Sequence, residues 1–264
     1  MGFLAEILPE VRRQIEAPTY LSEIEPATSA PSSLAGSVRT ARSGALLVEY
    51  KRVSPGSDRP ELPQRSVPEF ARLTERAGIA GFSCLATGPR FNGSPRDVAA
   101  LVLATRRPVL FKDFIIDPIQ LDAAARAGAS AVLLIARLET GGHLRTPLAR
   151  LARMAHDRHL EVVLEFHDRT ELSRAGDVAA DMFGVNVRNL DTLTMEPEVA
   201  ADTLRAASEL RPLLGLSGIR SPDDALRFWS LGVDGILVGS AVARAEDPAR
   251  FLRSLRRAEG GRPA

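Results

Sequence analysis

Residues 108–136 read PVLFKDFIIDPIQLDAAARAGASAVLLIA and contain one complete structural period. A short apolar run from Pro108 to Lys112 has the length and composition of a buried strand. Asp117-Pro118 then supplies an N-cap oxygen followed by a residue preset for the first helical turn, and Gln120 sits at near-capping-box spacing from Asp117. Gly128 falls where that helix should stop, since a left-handed residue is cheapest without a Cβ. A second apolar run, Ala131 to Ala136, follows at once. Two strands buried on both faces and joined by a helix form a βαβ unit in a parallel sheet.

The same period extends outward in both directions. Strand candidates are Ala45 to Tyr50, Gly81 to Ala86, Pro108 to Lys112, Ala131 to Ala136, Glu161 to Phe166, Met182 to Val187, Arg211 to Leu216 and Gly235 to Val238. Ser94-Pro95, Ser221-Pro222 and Asp247-Pro248 announce further helices, Ser66 with Glu69 adds a capping box, and Gly78 and Gly232 mark helix ends. Eight such units predict an α/β fold, a closed (β/α)8 TIM barrel over 45–264. An open doubly wound sheet fits less well, because no Gly-x-Gly-x-x-Gly turn follows the first strand. Residues 1–44 read as an N-terminal helical extension and linker: a helix from Phe3 to Ile15, then a Pro-, Ser- and Ala-rich connector from Glu25 to Gly36. Such a segment can cap one barrel end or fold over the mouth, and the letters do not choose. The last five residues, Gly260 to Ala264, read as a tail.

Composition bounds the function. The 264 residues carry a net charge of +1, with 45% hydrophobic and 25% charged side chains, as in ordinary globular proteins. No global field is available to hold nucleic acid or an anionic membrane, so neither is expected as a partner. The lone Cys84 precludes an internal disulfide, no apolar stretch approaches membrane-spanning length, and the amino terminus lacks a signal-peptide pattern, so a cytoplasmic location is expected. His143, His156, His159 and His167 show no metal spacing, although His156 and His159 are expected on one helix; neither metal nor cofactor is implied. One bias is sharper. Of 34 basic residues all but two are arginine, and the exceptions are Lys51 and Lys112. Arginine cannot readily release its proton, so acid–base chemistry is where lysine resists replacement.

Both lysines fall at strand ends, where barrel enzymes keep their catalytic groups. Period-two alternation turns Glu49 and Lys51 to the same side of the first strand. Lys112 ends the third strand and Glu165 the fifth, so four ionisable groups are expected at one mouth as an acid–base set. Asn186 and Arg188 add a neutral hydrogen-bonder and a planar cation after the sixth strand. The loops Leu216-Ser217-Gly218 and Val238-Gly239-Ser240 have the small residues that let backbone N–H groups approach a phosphate.

These residues resemble the indole-3-glycerol-phosphate synthase family over nearly the whole chain. The likeness rests on Glu49-x-Lys51-Arg52-x-Ser54-Pro55, Phe91-Asn92-Gly93-Ser94, Lys112-Asp113-Phe114, Leu133-Leu134-Ile135, Asn186-x-Arg188-Asn189-Leu190, Ser217-Gly218-Ile219 and Gly239-Ser240. The resemblance implies a carbon–carbon lyase of tryptophan biosynthesis. It would close 1-(2-carboxyphenylamino)-1-deoxyribulose 5-phosphate to indole-3-glycerol phosphate, with loss of carbon dioxide and water and no cofactor, in a monomer or weak homodimer. It also implies roles: Lys112 as general acid, Glu165 as its acid–base partner with Lys51, Glu49 and Asn186, and substrate contacts at Arg188, Phe91, Phe114, Leu133, Leu190 and Leu216. Ser54, Ser217, Gly218, Gly239 and Ser240 would hold the phosphate. The chain departs from the family pattern at Leu216, where a glutamate is usual, and at Gly56-Ser57-Asp58. Those departures leave two further expectations open: a paralogue acting on a substituted anthranilate adduct, or a degenerate barrel serving as a partner subunit.

Overall fold

A computed structural model of the chain describes residues 2–27, 31–56 and 61–257, without the side chains of 174 and 175. The Gly260 to Ala264 tail and the Ser57-Asp58 departure lie outside these residues. Eight strands close into a barrel in sequence order: β1 (Ala45–Tyr50), β2 (Gly81–Leu85), β3 (Val109–Lys112), β4 (Ala131–Ile135), β5 (Glu161–Phe166), β6 (Met182–Asn186), β7 (Leu213–Leu216) and β8 (Gly235–Val238). Every neighbouring pair is parallel, and β1 closes the ring by pairing with β8, Leu46 opposite Ile236. β1 is buried along its whole length, as a strand with packed side chains on both faces must be.

The helices are α1 (Phe3–Ile15), α2 (Leu34–Thr40), α3 (Val67–Glu75), α4 (Pro95–Ala104), α5 (Ile119–Arg126), α6 (Ala136–Thr140), α7 (Leu148–His156), α8 (Arg169–Arg174), α9 (Pro197–Ala206), α10 (Pro222–Ser230), α11 (Ser240–Arg244) and α12 (Pro248–Ser254). The caps read from the letters are made. Ser66, Ser94, Ser221 and Asp247 each accept a first-turn N–H, and Gly78, Gly128 and Gly232 have φ of 70°, 76° and 79°. Gln120 Oε1 accepts from Asp117 N at 3.2 Å while Asp117 Oδ1 accepts from Ile119 N at 2.9 Å, so α5 begins one residue past the proline.

Several expected boundaries move. β3 starts at Val109 and β7 at Leu213, because Pro108 and Pro212 have no N–H to donate; their carbonyls still accept from Phe82 and Phe183. β2, β4 and β6 end one residue earlier than expected. His159 lies beyond α7 in a left-handed turn rather than on the helix, and His156 pairs with Asp181 at 2.9 Å.

The largest correction concerns the connector, whose last residues form the start of α2. Ser33 caps that helix, and Glu161, the first residue of β5, accepts from Ser33 Oγ at 2.5 Å and from the N–H groups of Leu34 and Ala35 at 2.8 and 2.9 Å. A carboxylate at a helix N-terminus satisfies donors that have no intrahelical partner. Leu34 packs so closely on Gly81, at the start of β2, that a Cβ there would come within 2.7 Å of its Cδ1. α2 therefore stops the amino-terminal end of the barrel. α1 goes to the opposite end. It buries Leu4, Ile7, Leu8, Val11 and Ile15 along one face. Gly88 N, after β2, donates to Gln14 Oε1 at 3.1 Å, and Phe3 N donates to Asp191 O, after β6, at 2.7 Å. The extension thus serves both ends, one helix each.

Candidate active site

The carboxyl ends of the strands surround a pocket of about 670 Å³. All of Glu49, Lys51, Lys112, Glu165 and Asn186 line it. So do the expected ring contacts Phe91, Phe114, Leu133, Arg188, Leu190 and Leu216, and the expected phosphate contacts Ser54, Ser217, Gly218, Gly239 and Ser240.

Glu49 organises the charges. It is 3% exposed, and its two oxygens are divided between the lysines: Lys51 Nζ lies 2.7 Å from Oε1 and Lys112 Nζ 3.5 Å from Oε2. Burial alone would raise the Glu49 carboxyl, but the two ammonium groups outweigh it and hold the group below the ordinary glutamate range. Lys112 shows the converse. Burial would lower it, yet the negative charges of Glu49 and Glu165 keep its ammonium above the usual lysine value. Lys112 therefore touches Glu49 directly and feels Glu165 only at longer range.

Glu165 is 2% exposed and accepts from Asn186 Nδ2 at 2.9 Å through Oε1, while Oε2 has no hydrogen-bond partner among the described residues. Burial raises its carboxyl above the ordinary value, against the pull of Lys112 and Asn186. The result is two buried carboxylates in one pocket pushed in opposite directions, Glu49 below and Glu165 above the ordinary glutamate range. Asn186 is itself held. Its Oδ1 accepts from Arg188 N at 2.9 Å, and its carbonyl lies 2.7 Å from His167 Nδ1, whose Nε2 is 3.0 Å from Glu196. Both ring partners are acceptors, so the imidazole donates at both nitrogens, and its pKa is raised despite its burial.

Several supports escaped the sequence reading. Asp113, next to Lys112, accepts from Thr87 Oγ1 at 2.5 Å, Phe114 N at 2.9 Å and Gln120 Nε2 at 2.9 Å, which fixes the end of β3. Arg52 pairs with Asp97 and donates to Asn92 O at 2.9 Å, tying the β1 and β2 loops together. Phe3 of α1 joins Phe91 and Phe114, with ring centroids 6.2 and 6.4 Å from theirs. Arg220 and Arg244 bring cations to the rim beside the β7 and β8 loops. Thr87, Asp97 and Phe3 are remote in sequence from the motifs they serve, so no local spacing flags them. Gly239 has a second reason to be glycine: a Cβ would come within 2.7 Å of Glu49 Oε1 and 3.1 Å of Lys51 Nζ. Ser217 and Gly218 turn through φ of 67° and 80°, and the serine is held in a strained region at the pocket edge. Leu216, 2% exposed, lies against Gly184, where a Cβ would meet its Cδ1 at 2.7 Å.

Fold and site together define a (β/α)8 barrel with a pocket of ionisable groups at the carboxyl ends of its strands. The family model described as indole-3-glycerol phosphate synthase matches residues 4–255. The chain belongs to that family. The indole-3-glycerol phosphate synthase of Methanopyrus kandleri is 35% identical over 97% of this chain and 98% of its own length. That of Staphylococcus aureus strain JH1 is 35% identical over 80% of this chain and 79% of its own. Among solved structures, the thiamine phosphate pyrophosphorylase of Pyrococcus furiosus superposes with a TM-score of 0.58 at 20% identity, covering 81% of this chain and 94% of that one; this likeness concerns the fold alone.

Proposed function

We propose that the pocket carries out indole ring closure on 1-(2-carboxyphenylamino)-1-deoxyribulose 5-phosphate in tryptophan biosynthesis, without a cofactor. The observation that carries this reading is the presence of a half-buried ammonium, Lys112, and a separate buried carboxylate, Glu165, in one cavity. The aromatic carbon bearing the carboxylate attacks the ribulose carbonyl. Lys112 protonates the carbonyl oxygen, so no free alkoxide has to form. Carbon dioxide departs, the new hydroxyl takes a second proton from an ammonium group of the pocket, where Lys51 stands beside Lys112, and leaves as water, and Glu165 removes a proton from the nitrogen-bearing methylene as the indole double bond forms. Glu49 pairs with both ammonium groups, and Lys51 lies beside Gly239 on the phosphate side. Asn186 orients a sugar hydroxyl as well as Glu165. Arg188, Phe91 and Phe114, with Leu133 and Leu190, frame the anthranilate ring, and Leu216 offers it an apolar wall. Ser54, whose Oγ accepts from Ser240 Oγ at 3.1 Å, joins Ser217, Gly218 and Gly239 around the phosphate.

The test is growth of indole fluorescence from the ribulotide. Wild type should turn over, and Lys112→Ala and Glu165→Gln should each lower kcat by about 10²- to 10⁴-fold. Full activity of Lys112→Ala would remove the proposed acid. No turnover by wild type, with turnover of a ring-substituted analogue, would assign the chain to the substituted adduct instead; inactivity towards both would favour a partner subunit.

A further inference from the structure

Behind Glu165 lies a second, smaller chamber of about 80 Å³. Ile135, Glu165 and Leu190 line both this chamber and the large pocket, so Glu165 is the polar element of the wall between them. Its Oε1 is taken up by Asn186, whereas Oε2 is buried and accepts no hydrogen bond from any described residue. A buried carboxylate oxygen without a protein donor needs water or a proton. The chamber has room for a short chain of waters and enough polar lining to hold them.

The chamber is also lined by Glu171, 2% exposed, a buried carboxylic acid to which the ring-closure chemistry assigns nothing. Its Oε2 accepts from His167 N at 2.8 Å, and Oε1 lies 3.8 Å from the Arg137 guanidinium. Arg137, Asp168 and Asn189 are partly exposed and form the solvent rim.

We infer that this chamber is the proton exit for Glu165, with Glu171 as the relay between the buried carboxyl and bulk water. The inference rests on Glu165 being the base of the ring closure. When the methylene C–H bond breaks, its electrons enter the indole double bond and Glu165 gains the proton. That proton must leave before the next cycle, and product then occupies the large pocket. Glu165 Oε2 gives its proton to a chamber water, a water at the far end gives one to Glu171, and Glu171 releases one at the rim. No oxidant or co-reactant enters; the cycle takes up one proton overall, because the carbonyl oxygen and the departing hydroxyl each receive one while Glu165 gains one, so the ammonium groups are recharged from solvent at the open pocket mouth and each carboxylate returns to its ionised form through the chamber. Burial lifts the Glu171 carboxyl to about 7 with help from Asp168, against the His167 N–H, Arg137 and the His167 ring. A group with such a value both takes and gives protons at neutral pH. Arg137 is in turn paired with Asp191, and His167 with Glu196, so neither is a full counter-charge for Glu171.

Glu171→Gln keeps the side chain's size and its acceptor for His167 N but cannot titrate. Its kcat should fall about tenfold with KM unchanged, less than loss of a group acting directly on substrate. The solvent isotope effect on kcat should rise, and added formate should restore rate in proportion to its concentration. A purely structural capping role would give none of the last two effects. If Glu171→Gln matches wild type in kcat, pH profile and isotope effect while Glu165→Gln is inactive, the relay is overturned and Glu165 keeps its role. If Glu165→Gln is itself active, the underlying base assignment has failed instead. Should Glu171→Gln not fold, infrared titration of the native enzyme decides: a buried carboxyl band ionising near neutrality is expected, and no such band would overturn the relay.

Discussion

At the scale of single residues, the pocket assigns different duties to two glutamates through their neighbours. Glu49 touches two ammonium groups and is held ionised; Glu165 touches an amide and is pushed towards its neutral form. The pH profile should register this. A base must be ionised to act, and the Glu165 carboxyl is raised, so the acid limb of kcat/KM should lie above the range of a free glutamate. The alkaline limb should lie above the ordinary lysine range, because Lys112 is raised too. Asn186 supplies the direction test. Its hydrogen bond favours ionised Glu165, so Asn186→Ala should move the acid limb further up in pH as well as lower kcat. A limb that stays in place, or moves down, would mean that Glu165 is not the group titrating there. The lysines, Glu49 and Glu165 were legible in the letters as strand-end residues of the right types. Which carboxylate would face which lysine was not, because it depends on side-chain reach across the barrel rather than on strand register.

At the scale of elements, the βα units were readable because each carries its own punctuation: a buried apolar run, a capping oxygen, a proline at the first turn, and a glycine at the end. α2 was not readable. Its seven residues are too few to be stable alone, and the carboxylate that supports its N-terminus arrives from β5, well over a hundred positions away in the chain. Glu161→Ala should remove the acceptor for three donors at once and cost about 1–3 kcal/mol of stability. Urea unfolding would measure this. The kcat should stay at its wild-type value, since Glu161 lies at the barrel end away from the pocket; an unchanged unfolding midpoint would show that α2 docks without it.

At the scale of the whole molecule, the amino-terminal segment grips the barrel from both ends, and its upper helix contributes to the site. Phe3, Phe91 and Phe114 form one aromatic cluster, with 6.0 Å between the last two ring centroids, on elements that no local pattern connects. Phe3→Ala should raise KM about three- to tenfold with little change in kcat, from aromatic contacts of roughly 0.5–1.5 kcal/mol per pair. Steady-state kinetics would check it, and a fall in kcat with KM unchanged would instead give α1 a role in chemistry.

From the amino-acid order alone, the eightfold alternation, the capped helix starts and the two surviving lysines at strand ends were already determined, because each depends on neighbours a few residues away. Only the tertiary structure decided that the leading segment divides between the two barrel ends, that Glu49 is shared by both lysines, and that Glu165 borders a second chamber lined by Glu171. Those facts depend on groups brought together by ring closure of the sheet, and Coulomb interactions and burial act through space without regard to separation along the chain.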